Sequence, residues 1–173
     1  VNMHALLSGV KINYTIIVNC GLNRFGVELG DLAQFARRLN GLSGLALKGA
    51  STHPGHVYGK SDKSGVDEAA YDEISTMEKA AEILEENGFS TEIISSGSTP
   101  TYSAALKSSR LNVFHPGNYV FMDYIQMSLG CAKEEECALT VAATVISSTR
   151  EGVFIIDAGA KCLGLDKGAH GNS

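Results

Sequence analysis

The stretch STEIISSGSTPTYS, residues 90–103, contains in order a β-strand, a loop of small residues and the beginning of a helix. We expect residues 91–95 to form the strand, because isoleucine and threonine suit a buried sheet. A short helix is expected to begin near Thr101, directly after Pro100. A strand joined to a helix by so short a loop is the building unit of a parallel sheet covered by helices.

Three further strands are predicted on the two sides of this unit. Residues 12–19 are apolar and β-branched and end at Cys20-Gly21, as in a strand buried on both faces. Residues 45–50 form a second strand that opens into a long loop, residues 51–65. Residues 112–114 form the last of the four, which ends at His115-Pro116-Gly117.

Two helices are predicted between the strands. The first has Asp31 as its cap and Gly41 as its end. The second, residues 67–87, ends at Gly88 and is the clearest element of the chain. Its apolar side chains recur at intervals of four and three: Ala70, Ile74, Met77, Ala81 and Leu84. A coiled coil is the weaker alternative, because the stripe lasts only about two heptads.

Strand and helix alternate over the first two thirds of the chain, which predicts an α/β fold with a parallel sheet. After Asp123 the pattern changes. Residues 138–148 and 153–157 are predicted β-strands with a polar turn and no helix between them. We therefore place a boundary near residue 130. The start at Val1 and the end at Ser173 lead us to expect a fragment of a longer protein.

The composition excludes several classes of function. The chain of 173 residues is 44% hydrophobic and 19% charged, as in a soluble globular protein. Its net charge of −5 and the lack of a basic stripe argue against nucleic-acid binding. The apolar residues 10–18 include a lysine and are too few to span a membrane. The four cysteines have no metal-binding spacing, so we expect reduced thiols in a cytoplasmic protein.

The unusual residues of the chain follow the ends of the predicted strands, where parallel α/β folds bind their ligands. Gly97, Ser98 and Thr99 suit a phosphate, because glycine lets the backbone approach closely and two hydroxyls can donate. Gly117 and the amides after it can supply the second half of such a site. The alternative for the first segment is plain helix capping.

Four other residues at these ends have both a functional and a structural interpretation. Two ligands without a nearby acid or thiolate rarely suffice for a metal, so His53 and His56 are weak metal ligands. His53 is better placed to stack on a flat ring. Arg24 is either a ligand-binding residue or the partner of a carboxylate, and His115 beside Pro116 is either functional or a turn residue.

Taken in order, five segments resemble the fold-type III pyridoxal-phosphate enzymes. The resemblance is to the branch of D-threonine aldolase and D-serine dehydratase, which are relatives of alanine racemase. It implies part of a (β/α)8 barrel of the TIM type over residues 1–130 and the start of a β-rich C-terminal domain over residues 131–173. The segments are GLNRFGVELG (21–30), KGASTHPGHVYG (48–59), SSGSTPTYS (95–103), HPGNYVFMD (115–123) and DAGAKCLGLD (157–166).

The resemblance also implies roles for individual residues. Arg24 lies near the ring of pyridoxal 5'-phosphate, and His53 stacks on that ring as the catalytic residue. His115 occupies the position that faces the pyridine nitrogen. The residues implied to hold the phosphate are Gly97, Ser98, Thr99, Gly117, Asn118 and Tyr119.

Two elements of the family are expected outside the chain. The lysine that forms the Schiff base belongs to a strand upstream of Val1, and Lys48, although it is in a strand close to the pocket, has no counterpart in that motif. The metal ligands of the lyases are expected downstream of Ser173, so no residue is assigned to a metal, and His170 is not promoted to one. We therefore expect this chain alone to be inactive.

The implied function of the parent protein is that of a lyase, an aldolase or a dehydratase, acting on D-β-hydroxy amino acids such as D-threonine or D-serine. A divalent metal, Mn²⁺ or Zn²⁺, is expected to assist it. The alternatives are an amino-acid racemase, a non-catalytic pyridoxal-phosphate-binding barrel, and an inactive or split subunit. By analogy we expect a small-molecule substrate and a homodimer, with no nucleic acid and no membrane as partners.

Overall fold

The computed structural model describes residues 1–159 and 161–163. Four parallel strands form its central sheet, in the order β1-β2-β3-β4: Ile12–Ile17, Leu45–Ser51, Ile93–Ser96 and Val113–Phe114. Each strand pairs with the next one along the chain. This is the strand order of the wall of a β/α barrel, and it confirms the predicted α/β fold.

The described residues form five α-helices, of which the second and third pack against the sheet. The helices are α1 (Asn2–Leu7), α2 (Leu29–Asn40), α3 (Lys63–Glu86), α4 (Tyr102–Ala105) and α5 (Tyr124–Ser128). Short 3-10 turns occupy Gly55–Gly59, Asn118–Val120 and Glu134–Glu136.

Two predicted helix starts are wrong. The N-cap of α2 is Glu28, and Asp31 lies inside the first turn of the helix. A carboxylate there interacts favourably with the positive end of the helix dipole but does not cap the helix. Helix α3 begins four residues earlier than predicted, because the side chain of Asp62 accepts a hydrogen bond from the backbone N–H of Gly65 at 2.9 Å.

The main core lies between the sheet and helices α2 and α3. Ile16 and Ile94 from the strands pack with Leu32, Met77 and Leu84 from the helices, and each of these side chains is at most 2% exposed. Burial of such large apolar side chains stabilises the fold by roughly 1.5–3 kcal/mol each. The core therefore fixes the sheet whose strand ends carry the candidate residues.

Strand β2 contains an irregularity at Lys48 and Gly49. Tyr14 pairs with Leu47 and the next residue, Thr15, pairs with Gly49, so Lys48 is the extra residue of a bulge. Gly49 has φ +142°, and a β-carbon there would overlap the carbonyl oxygen of Ile93. The bulge thus requires glycine at residue 49.

The bulge also corrects the expected place of Lys48. Its Nζ atom lies 2.6 Å from Oε2 of Glu92, which precedes β3. The side chain therefore points to the amino end of β3, away from the strand ends that carry the candidate site.

The chain after residue 130 contains an antiparallel hairpin of β5 (Val145–Arg150) and β6 (Val153–Ile156). Residues 138–144, predicted to belong to the first of these strands, are not in a strand, because pairing with β6 ends at Val145. The division of the chain at residue 130 stays a prediction. His170 and part of the segment 157–166 lie outside the described residues.

A search of the described helices finds none with the length and hydropathy needed to cross a membrane.

Candidate functional site

Side-chain hydrogen bonds join the loops that follow three neighbouring strands. Nδ1 of His53, after β2, donates to the carbonyl oxygen of Gly97, after β3, at 2.9 Å. The hydroxyl of Ser95 lies 3.1 Å from Nδ1 of His115, which follows β4. The structure therefore brings His53, Gly97 and His115 together at the carboxyl edge of the sheet, as the sequence predicts for ligand-binding loops.

The loop after β3, residues 96–101, packs closely against the loop after β4. A β-carbon on Gly97 would lie 2.8 Å from the backbone nitrogen of His115, a distance that real side chains do not reach. Glycine at residue 97 is thus needed for the close approach of the two loops. We refer to the 96–101 loop and to the loop that begins at His115 as the two walls of the candidate site.

The two hydroxyls predicted to bind phosphate differ in their surroundings. Oγ of Ser98 lies 2.9 Å from Oγ1 of Thr101, so it already has a partner within the loop. Oγ1 of Thr99 is buried and has no hydrogen-bond partner among the described residues. A buried donor without a partner costs about 1–3 kcal/mol. Thr99 therefore has an unused hydroxyl that an anion would satisfy.

The remaining predicted phosphate residues form a 3-10 turn directly after His115. Nδ2 of Asn118 donates to Oδ2 of Asp123 at 2.8 Å, so this side chain is occupied. Tyr119 is 55% exposed and Gly117 is exposed. Because the Asn118 side chain binds Asp123, the backbone N–H groups are what this turn offers to a ligand.

The loop after β1 is built around Asn19. Its Oδ1 atom accepts from the backbone N–H groups of Gly21 and Asn23, and its Nδ2 atom donates to the side chains of Asn23 and Glu28. A backbone bridge between Val18 and Val27 closes the loop. These contacts fix a loop that would otherwise project freely from the strand.

Arg24 lies at the tip of this loop. Its guanidinium is 4.8 Å from the centre of the Phe25 ring, a cation–π contact. Over residues 1–159 and 161–163 no carboxylate lies within ion-pair distance of it. The predicted alternative of a structural ion pair therefore has no support. Arg24 lines a cavity of about 290 Å³ with Asn19, Asn23, Phe25, Gly26 and Glu28.

The histidines of the site differ in their electrostatics. Partial desolvation lowers the pKa of His115, and the nearby His53 lowers it further. Both effects favour the neutral form of the His115 ring. Desolvation also lowers the pKa of His56, whose Nε2 atom lies 3.8 Å from Asp72. His56 faces Asp72, whereas His53 faces Gly97. The two histidines therefore do not form the metal-binding pair that the sequence analysis gave as an alternative.

Sequence reasoning missed Glu73, a fully buried carboxyl in α3. The Ser96 hydroxyl donates to its Oε1 atom, and burial raises the pKa of the Glu73 carboxyl. The signal was available, because Glu73 lies three residues after Ala70 and four before Met77. That spacing places it on the apolar stripe of the helix, where a glutamate is rarely exposed.

The chain is similar to known proteins over nearly its whole length. The model of the alanine racemase N-terminal domain matches residues 1–125, and a serine dehydratase domain model matches residues 138–173. D-threo-3-hydroxyaspartate dehydratase from Delftia sp. is 34% identical over 84% of this chain and 39% of its own length. D-serine dehydratase from Dictyostelium discoideum is 29% identical over 87% of this chain and 41% of its own.

Solved structures are similar to the chain as well. The Delftia dehydratase superposes with a TM-score of 0.80 and 30% identity, over 95% of this chain and 44% of that one. D-threonine aldolase from Filomicrobium marinum gives a TM-score of 0.71 and 25% identity, over 95% of this chain and 46% of that one. The chain spans about two fifths of the length of the curated relatives it matches.

Proposed function

The chain belongs to the alanine racemase N-terminal domain family, and from that premise we propose that it forms the cofactor-binding part of a pyridoxal-phosphate-dependent lyase. The reaction is the dehydration or aldol cleavage of a D-β-hydroxy amino acid. Relatives named for D-serine, D-threo-3-hydroxyaspartate and D-threonine support this substrate class, because each of these amino acids has a β-hydroxyl.

The unpartnered hydroxyl of Thr99, beside the contact of Gly97 with His115, is the observation that carries the proposal. A phosphate offers several acceptor oxygens to a buried donor and to backbone N–H groups. We assign the phosphate to Gly97, Ser98 and Thr99 on one wall. Gly117, Asn118 and Tyr119 face it from the other wall, through their backbone N–H groups.

When bound, the cofactor withdraws electrons from the substrate carbon at which a bond is broken. His53 is the proposed catalytic residue. Its Nδ1–H is fixed by the carbonyl oxygen of Gly97, so Nε2 is the ring nitrogen left to contact the ligand. His115, whose pKa is lowered by partial desolvation, would face the pyridine nitrogen, and Arg24 would lie near the ring.

Metal binding by the described residues is not supported, since they contain no group of three or more histidine, cysteine, aspartate or glutamate side chains fit to hold an ion. A D-threo-3-hydroxyaspartate dehydratase variant has been solved in a metal-free form, which supports a metal in that enzyme. We propose a divalent metal, Mn²⁺ or Zn²⁺, in the intact protein to which this chain belongs. We assign no ligand and no step to it.

Two alternatives within the family are less well supported. A racemase requires a second base on the opposite face of the substrate, and no residue here is assigned to that role. A non-catalytic cofactor-binding barrel would not need a dehydratase domain. The match of residues 138–173 to the serine dehydratase domain favours the lyase over both.

We also propose that the intact protein is a cytoplasmic homodimer, with residues 1–130 in the barrel and residues 131–173 in the β-rich domain. The four cysteines are free in the structure, which suits a reducing compartment.

The test is a titration of the intact protein with pyridoxal phosphate, followed by absorbance, then borohydride reduction and peptide mass spectrometry. We expect saturable binding and no modified lysine within residues 1–173. In a separate sample that is not reduced, D-serine, D-threonine and D-threo-3-hydroxyaspartate should react, while their L-enantiomers serve as controls. Lack of binding would overturn the proposal, and an adduct at Lys48 would contradict the expected position of the reactive lysine.

A further inference from the structure

Glu73 lies beneath the 96–101 loop, and the polar groups around it belong to that loop. The carboxyl is fully buried in the middle of α3. The Ser96 hydroxyl donates to Oε1, and the Thr101 hydroxyl also stabilises the carboxylate form. Thr101 in turn contacts Ser98 at 2.9 Å. A chain of hydroxyls therefore runs from Glu73 to the proposed phosphate residues.

The surroundings of Glu73 contain few charges to balance its own. His53 faces it from the loop after β2, Cys20 from the end of β1, and Asp72 precedes it on α3. No lysine or arginine among the described residues lies within ion-pair distance of it.

The second carboxyl oxygen has no partner either. Oε2 of Glu73 makes no hydrogen bond within residues 1–159 and 161–163. An ionised carboxylate that is buried with an unpaired oxygen is far less favourable than a neutral carboxyl in the same place. Burial accordingly raises the pKa of Glu73 more than Ser96, Thr101 and His53 lower it.

We propose that Glu73 is a positioning residue of the 96–101 loop, which holds Ser96 and Thr101 from beneath in its neutral form and whose ionisation would oppose an anion bound above them. The inference rests on the proposed function, because the anion is taken to be the phosphate of the cofactor. Like charges repel strongly where little water separates them, so the two anions compete.

This arrangement links binding of the cofactor to a proton. Where Glu73 is partly ionised, phosphate binding takes up a fraction of a proton, at most one, from solvent onto the unpaired Oε2 atom. The affinity then falls as the pH rises through the pKa of Glu73, by at most tenfold per pH unit. A merely structural glutamate would show no such dependence.

The experiment compares the intact protein with its Glu73→Gln variant in pyridoxal-phosphate titrations between pH 5.5 and 8.5, followed by fluorescence. Glutamine keeps an oxygen for Ser96 but cannot ionise. The cofactor itself titrates in this pH range, but its titration affects both proteins equally and therefore cancels in the ratio of their dissociation constants. We expect a ratio near one at the acidic end, with the variant binding progressively tighter as the pH rises.

The matched control is Glu78→Gln, because Glu78 is on the same helix and accepts a hydrogen bond from Ser108 at 2.8 Å. The ratio of the dissociation constants of the intact protein and Glu78→Gln should stay constant across this pH range. A flat ratio for Glu73→Gln, or a variant that binds tenfold more weakly at every pH, would overturn the inference.

Two further variants keep the outcomes distinct. If Glu73→Gln fails to fold, Ser96→Ala replaces it: loss of this hydroxyl raises the pKa of Glu73 further, so the fall in affinity should begin at a higher pH. An unshifted profile contradicts the inference.

Thr99→Val tests the phosphate site itself. If that change leaves affinity intact, the proposed function fails; if it weakens binding while Glu73→Gln stays flat, only the role of Glu73 fails.

Discussion

The carbonyl oxygen of Gly97 accepts a hydrogen bond from Nδ1 of His53 at 2.9 Å, and this bond ties the loop after β2 to the loop after β3. Because a carbonyl only accepts, the Nδ1 atom of the ring carries a proton and donates it to this bond. The orientation of the ring and the position of the phosphate residues are thus set by one contact.

That contact predicts different outcomes for two substitutions of His53. His53→Asn places an amide N–H near the position of Nδ1, so the bond to Gly97 and the stability should be kept while the reaction is lost. His53→Ala should lower the free energy of unfolding by about 1 kcal/mol and change the absorption spectrum of the bound cofactor. Denaturant titration and visible spectra check this. An unchanged spectrum in both variants would return His53 to a structural role.

Thr99→Val should separate cofactor binding from stability. The hydroxyl has no partner in the described structure, so its loss should leave the free energy of unfolding unchanged or raise it by about 1 kcal/mol. The dissociation constant for pyridoxal phosphate should rise about tenfold, since one bond to a charged acceptor is lost. Thr76→Val, a half-buried threonine of α3, is the control. Equal affinities for both variants would contradict the phosphate site.

Gly97→Ala should disrupt the contact between the two loops. The added methyl group would lie 2.8 Å from the backbone nitrogen of His115, and backbone cannot rotate away as a side chain can. We expect a loss of about 2 kcal/mol in unfolding free energy together with weaker cofactor binding. In Gly59→Ala the methyl group meets no atom within 4 Å, so this control should change neither quantity. Thermal unfolding and a cofactor titration measure both.

Asn19→Ala should release the loop that carries Arg24. Asn19 makes four hydrogen bonds to three residues of this loop and its flank, Gly21, Asn23 and Glu28. We expect a loss of about 2 kcal/mol of stability and faster amide hydrogen exchange over residues 20–26. Asn13→Ala, at an exposed position of β1, is the control. Unchanged exchange rates would mean that the backbone bridge alone orders the loop.

The pH dependence of stability should contain a contribution from His56. Desolvation lowers the pKa of this ring below 6.5, so the unfolded chain binds its proton at a higher pH than the folded chain does. The stabilising contribution is therefore complete above pH 6.5 and is lost as the pH falls through 6.5 towards the lowered pKa. His56→Gln should flatten this part of a stability profile measured between pH 7.5 and 5. The exposed His4 serves as the control for a histidine without such burial.

The strand and helix order followed from sequence because each element has a strong local pattern. Strand β2 and helix α3 were found close to their observed positions, since both are apolar runs bounded by glycine or polar residues. The start of α3 was missed because its cap, Asp62, precedes the apolar stripe by several polar residues. Helix α1 was missed because six residues give too little periodicity.

The loops that form the site could be predicted from sequence, but the hydrogen-bond partners of their side chains could not. The loops after the strands could be recognised from glycine, histidine and hydroxyl residues at strand ends. The sequence could not predict which of the two hydroxyls lacks a partner, because the choice between Ser98 and Thr99 depends on the position of Thr101. Glu73 depends on tertiary contacts in the same way, since its hydrogen bond to Ser96 spans 23 residues of sequence.

The order of the sheet has a consequence for how the protein is made. Within the described sheet, β2, β3 and β4 each pair with the strand that precedes them in the chain, so these three pairings do not wait for a distant segment. Short separations between pairing segments speed folding and allow it to proceed during synthesis from the amino end. Each new strand would close the ligand-binding loop that preceded it, and the pocket would be assembled one wall at a time as the chain leaves the ribosome.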